Sequence, residues 1–240
     1  MSAAAVELRG VTARYGQVLA LDDVTLTMPA GRITAVVGVN GSGKSTMFKL
    51  VMGALSPWAG TVQVLGRSTA EARRAGLVAY VPQAHDVDWD FPVSVREVVA
   101  TGRYGRLGLT RRLRPADRDA VEAALDDVGL AALADRQIGE LSGGQRKRAF
   151  VARAIAQEAR VLLLDEPFAG VDTVSQDGIT AVLKQLRKRG TSVVVSTHEL
   201  GSAPDLADHA VVLHRSLVFS GPAAQGLAPE VLARAFGMVR

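Results

Sequence analysis

One run of residues constrains this chain more than any other: Gly38-Val39-Asn40-Gly41-Ser42-Gly43-Lys44-Ser45 fits the pattern G-x-x-x-x-G-K-[ST]. It follows Ile33–Val37, a short apolar run expected to be a buried strand, and opens a helix expected from Lys44 through Met52 and ended near Gly53. Strand, glycine-rich loop and helix together are the context this motif requires. The glycines let backbone N–H groups converge on phosphate oxygens, and the helix N-terminus adds a favourable dipole. In such a loop Lys44 is expected to reach the β- and γ-phosphates of ATP, and the Ser45 hydroxyl to bind Mg²⁺. Thr46 extends the candidate nucleotide-binding run.

The rest of the chain supplies the layers such a loop needs. Val6–Val11, Leu19–Met28 and Gly60–Leu65 carry β-rich patterns, the first two as an antiparallel edge. Leu77–Val81, Val161–Leu164 and Ser192–Ser196 are further strands, the last two of the buried parallel type, with a helix expected over Thr173–Lys188 between them. Ala210–Leu213 and Leu217–Phe219 alternate, and a closing helix is expected near Pro229–Phe236. The middle is different. Ser94–Ala100, Pro115–Val128 and Ser142–Ala156 read as helices, with no strand signal among them. The expected fold is α/β, a P-loop NTPase core (residues 1–85 and 156–240) with an antiparallel β edge, interrupted by a helical subdomain over residues 86–155. The whole chain is expected to form a single domain.

Two further runs carry chemistry. Val161-Leu162-Leu163-Leu164-Asp165-Glu166 is an apolar strand ending in two carboxylates. Asp165 suits a direct or second-sphere hold on Mg²⁺, and Glu166 suits a base that polarises an attacking water. Leu141-Ser142-Gly143-Gly144-Gln145 precedes a helix. Ser142 is a natural N-cap, but consecutive glycines at the first helical positions weaken a helix by ~1 kcal/mol each relative to alanine. Close backbone approach to an anion gives them a use, so this is a candidate second phosphate site.

These motifs together resemble the nucleotide-binding subunit of an ABC transporter, and the resemblance extends over nearly the whole chain. It implies a head-to-tail dimer in which Ser142, Gly143, Gly144 and Gln145 of one copy close on the γ-phosphate held by the other. It also assigns Tyr15 to stacking on adenine, Gln83 to sensing Mg²⁺ and water, His198 to the γ-phosphate as the switch histidine, and Asp172 to coupling the two sites. Two departures stand out: Ala169-Gly170-Val171-Asp172 where the family often has Ser-Ala-Leu-Asp, and Glu199 where Asp commonly follows the switch histidine. The resemblance further implies a polytopic permease subunit as partner, a solute-binding protein indirectly, and a peripheral place on the cytoplasmic face of the cell membrane. The C-terminal regulatory domain of some importers is expected to be missing.

The run His85-Asp86-Val87-Asp88-Trp89-Asp90 offers possible metal ligands, but alternating positions of an extended chain point to opposite faces and no partner histidines lie nearby. The longer stretch Val87–Val95, followed by Gly102-Arg103-Tyr104-Gly105, resembles the ATPases of manganese, zinc and iron(II) importers. There Trp89 and Phe91 are expected to contact a membrane-subunit helix. No window approaches the ~18 apolar residues that span a bilayer. The N-terminus has no basic start before an apolar run, so no secretion signal is expected. Zero cysteines exclude disulfides and thiolate metal sites and suit a reducing cytosol. The net charge of +4 rests on short basic runs such as Arg146-Lys147-Arg148 without aromatic interleaving, so no nucleic-acid partner is expected. Efflux remains compatible with the core motifs, and only Val87–Tyr104 argues for import.

Overall fold

The computed structural model describes residues 3–83, 92–107, 112–197 and 206–235. Its first hairpin pairs β1 (Ala4–Tyr15) with β2 (Val18–Pro29) in antiparallel register. Val6, Leu8 and Val11 turn inward while Arg9 and Arg14 face solvent, the division expected of a sheet with one wet face. β4 (Ala59–Val64) and β5 (Arg67–Ser68) complete a four-stranded sheet in the order β2-β1-β4-β5. β5 and the helix after it, α2 (Thr69–Arg74), are elements the sequence reading missed. Ser68 and Glu71 form a full capping box at the start of α2, a Ser-x-x-Glu signal that was legible in the chain.

A second sheet has six strands: β3 (Ile33–Val37), β6 (Val78–Val81), β7 (Val161–Asp165), β8 (Ser192–Thr197), β9 (His209–His214) and β10 (Ser216–Pro222), ordered β10-β9-β3-β8-β7-β6. All neighbours run parallel except β9 and β10. Its central strands are buried on both faces, and their alternation sorts side chains between two cores. Val161 and Leu163 join a core shared with the first sheet and α1 (Lys44–Val51). Leu162 and Leu164 join the helices on the other face. α1 is clamped between the sheets by Met47, Phe48, Leu50 and Val51, all almost wholly buried. Each such side chain contributes about 1.5–3 kcal/mol by leaving water, so the helix that starts at the glycine loop is firmly seated.

The helical face comprises α3 (Val95–Ala100), α4 (Pro115–Asp127), α5 (Gly143–Ala156) and α6 (Thr173–Lys188). Val99, Leu125, Phe150 and Leu183 share one core with the sheet residues Leu162 and Val193. The later part of α5 also bonds to the edge strand: Arg153 Nη2 donates to the Tyr80 carbonyl at 2.9 Å, and Gln157, just past the helix, reaches the Val78 carbonyl at 2.8 Å. A buried ion pair joins the helices. Arg103 donates twice to Asp117 Oδ1, at 2.9 and 2.8 Å, and once to the Ala156 carbonyl at 2.8 Å. The Arg103 hydrogen bond holds the Asp117 carboxyl below the usual carboxylate range. Among the described residues, no helix is long and apolar enough to cross a membrane.

Candidate functional site

Parallel register gathers the site at the carboxyl ends of the inner strands. Val37 stands beside Thr197 and Asp165 beside Ser196, so the loop after β3, the acidic end of β7 and the polar end of β8 converge. The crevice outside the carboxyl ends of parallel strands is where such sheets bind ligands. The cleft there has a volume of about 600 Å³. It is lined by the loop residues Asn40–Gly43 and the first turn of α1, together with Gln83, Asp165, Glu166, Tyr15 and Val18.

Gly43 shows why this loop needs glycine. Its φ is +102°, and a Cβ there would lie 2.4 Å from Leu21 Cδ2. Lys44 is 6% exposed and donates to the carbonyls of Gly38 at 2.7 Å and Val39 at 3.2 Å. Burial lowers its pKa, while the charges of Glu166 and Asp165 pull the other way. Ser42 Oγ is buried without a hydrogen-bond partner in the same loop. A buried cation and an orphaned hydroxyl within a phosphate-type loop fit a polyanionic ligand. The Ser45, Gln83 and Asp165 oxygens beside the same cleft are of the hard type that Mg²⁺ prefers.

Asp165 and Glu166 are held differently. Asp165 Oδ1 accepts from Ser196 Oγ at 2.5 Å and Oδ2 accepts from the Tyr80 hydroxyl at 3.2 Å. Glu166 has φ +52°, in the left-handed region, which costs a non-glycine residue about 1–2 kcal/mol. Its N–H is anchored on Ser196, to Oγ at 3.0 Å and to the carbonyl at 3.2 Å. Ser196 is wholly buried. Neither it nor Tyr80 was singled out by sequence reasoning. The one available signal was a polar residue closing an otherwise apolar strand, Val193-Val194-Val195-Ser196. Arg215 was also missed: it lines the cleft, and its N–H donates to the Ser42 carbonyl at 2.9 Å.

Tyr15 sits at the mouth of the cleft with 44% of its surface exposed, and the Lys49 ammonium lies 5.7 Å from its ring centroid. A half-exposed ring beside the phosphate loop can accept a planar base. Ser142–Gln145 lie elsewhere, and none of them lines this cleft. Ser142 caps α5 and Gln145 closes the capping box, accepting the Ser142 N–H at 2.9 Å. The two glycines have different reasons. A Cβ on Gly144 would lie 2.4 Å from Ser175 Oγ, whereas one on Gly143 would meet nothing within 4 Å. Packing against α6 therefore explains Gly144, which the sequence reading had assigned to anion approach alone. Gly143 is exposed and unconstrained by its own chain. Asp172 caps α6, accepting the Ser175 N–H at 2.9 Å. His198, Glu199, Trp89, Phe91 and the His85–Asp90 run lie outside the described residues.

Comparison with known proteins shows the family. The family model described as ABC transporter matches residues 21–169, more than half of the chain. The manganese transport system ATP-binding protein MntA of Synechocystis sp. is 47% identical over 97% of this chain and 90% of its own length. The zinc transport system ATP-binding protein TroB of Treponema pallidum is 42% identical over 98% of this chain and 88% of its own. A chain from an ABC transporter in an inward-facing conformation superposes with a TM-score of 0.87 at 29% identity, covering 98% of this chain and 89% of that one.

Proposed function

This chain belongs to the ABC transporter family as an ATP-binding, ATP-hydrolysing subunit, and from that membership we propose that it powers import of a divalent transition metal, manganese or zinc, across the cell membrane. The observation that carries the cargo assignment is full-length similarity, at 47% identity, to a manganese transport ATPase.

In this reading the loop N–H groups and Lys44 hold the ATP phosphates, and Tyr15 stacks on adenine. Ser45, Asp165 and Gln83 are the residues that would hold Mg²⁺, which supplies charge neutralisation at the phosphates when bound. Glu166 accepts a proton from water as its oxygen attacks the γ-phosphorus. The bond to the β–γ bridging oxygen breaks and ADP leaves. His198 and Gln83 steady the γ-phosphate and the water.

We assign Ser142, Gly143, Gly144 and Gln145 to the nucleotide of a second copy, in a head-to-tail dimer that Asp172 couples. Ser142 and Gly143 are exposed and stand outside their own chain's cleft, which supports the two-chain reading. The membrane partner is a polytopic permease, gripped by the segment from Gln83 to Tyr104 in which Trp89 and Phe91 are apolar anchors. Tyr104 is 62% exposed, as a contact residue there requires. A solute-binding protein delivers the ion to the permease, and this subunit works from the cytoplasmic face. Residues 86–155 form the helical subdomain that carries both the permease contact and Ser142–Gln145.

The test is uptake. A strain lacking the gene should accumulate less ⁵⁴Mn or ⁶⁵Zn than its parent and recover growth under chelation when the metal is added back. Unchanged uptake of manganese, zinc and iron in that strain, with no second importer present, would remove the cargo assignment and leave the ATPase standing.

A further inference from the structure

Helix α5 begins at the Ser142–Gln145 stretch, and one turn later Lys147 reaches off it to the turn that follows β7. Its ammonium donates to the Ala169 carbonyl and lies 3.4 Å from the Glu166 carbonyl. Glu166 and Ala169 are the two ends of that turn, closed by the Ala169 N–H on the Glu166 carbonyl at 3.3 Å. On the other side, Gln176 of α6 donates to the Val171 carbonyl at 3.0 Å. Gly144 lies close against Ser175. The start of α5, the turn and the start of α6 thus form one hydrogen-bonded block.

Glu166 enters this block in a left-handed conformation, which persists only where the surroundings over-determine it. Ser196 fixes its N–H end. Lys147, on another element, reaches its carbonyl end at 3.4 Å. An ammonium has three donors and no acceptor, so it can serve two carbonyls at once.

We propose that Lys147 is a positioning residue for ATP hydrolysis: it fixes the backbone of Glu166 to the same chain's α5, so that the helix offered to the partner's nucleotide and the base acting at the chain's own nucleotide move together. This rests on the head-to-tail reading above. Lys147 does not itself line the cleft, so its loss should act on turnover and not on binding.

The experiment uses the full chain. Lys147→Met, which keeps the stem and removes the donors, should lower kcat about tenfold, the scale of a modest misplacement of a catalytic group. Affinity of the monomer for a fluorescent ATP analogue should stay within about twofold, since the loop contacts are untouched. Lys147→Arg, which restores charged donors, should recover most of the lost kcat. A simple packing brace would not give that split together with that rescue. In the Glu166→Gln background, Lys147→Met should still form the ATP-dependent dimer by size-exclusion chromatography. Full kcat in Lys147→Met, or no rescue by arginine, would overturn the inference while ATP-driven dimerisation of Glu166→Gln kept the two-chain reading. Failure of Glu166→Gln alone to dimerise would remove that reading and the inference with it. If thermal melting shows that Lys147→Met does not fold, Lys147→Leu, which also lacks donors, carries the same comparison, with the same outcomes.

Discussion

The Ser196 hydroxyl lies 2.5 Å from Asp165 Oδ1 while accepting the Glu166 N–H at 3.0 Å. One buried side chain on β8 therefore sets two consecutive acidic residues, the last of β7 and the one after it, just before the chain reaches Thr197 and His198. Losing a hydrogen bond to a charged group costs about 1.5–3 kcal/mol. Ser196→Ala should accordingly reduce ATP turnover by roughly ten- to a hundredfold, since 1.4 kcal/mol is tenfold in rate. The Mg²⁺ concentration needed for half-maximal rate should rise as well. Both follow from a steady-state titration with Mg²⁺, and an unchanged Mg²⁺ requirement would show that Ser196 does not steer Asp165.

Glu166→Gln keeps the shape of the side chain but cannot take a proton. Turnover should fall by ~10²–10⁴-fold, the usual contribution of a positioned base. ATP binding should survive, and the protein should accumulate as an ATP-bound dimer. Normal phosphate release from this variant would show that the base lies elsewhere.

The two neighbouring glycines of Ser142–Gln145 should respond differently. Gly143 has open space around it, so Gly143→Asp should melt close to wild type and bind nucleotide normally as a monomer, yet lose hydrolysis. A methyl group on Gly144 would collide with Ser175, so Gly144→Ala should lower the melting temperature itself, with overpacking of this kind costing ~1–3 kcal/mol. Paired melting curves and ATPase assays separate the two. Equal melting temperatures would contradict the packing account.

Acid should destabilise the ligand-free protein through His209. Its Nδ1 is buried without a hydrogen-bond partner, and burial lowers the imidazole pKa. The unfolded chain, with a His pKa near about 6.5, then takes up the proton first as pH falls. Stability contributed by the neutral ring is present above that value and is lost as pH drops toward the lowered folded pKa. Between pH 7.5 and 5.5 the melting temperature of His209→Gln should fall less than that of wild type. Neighbouring Asp208 is engaged by Arg187 and Arg32, and those pairs remain in the variant. Parallel curves for the two proteins would rule His209 out.

What the sequence determined by itself was local. The loop from Gly38 to Ser45 declares its conformation through its glycines, and Ile33–Val37 and Thr173–Lys188 run between the residues expected of them because apolar period and capping act within a few positions. Where the local signal is weak an element is not legible: Arg67–Ser68 is too short for alternation to register. The acidic pair and the Ser142–Gln145 run were visible as motifs, but what holds them was not. Tyr80 meets Asp165 across 85 positions, Ser196 across 31, and Lys147 meets Ala169 across 22. The strand order β3-β8-β7 interleaves distant segments, and hydrogen bonds form between neighbours in space whatever their separation along the chain. The same holds for Gly144, which lies against a serine on another helix. Only the packed sheet and the helices on its face decided which side chain grips Asp165, how Glu166 is turned, and which of two adjacent glycines is needed by its own chain.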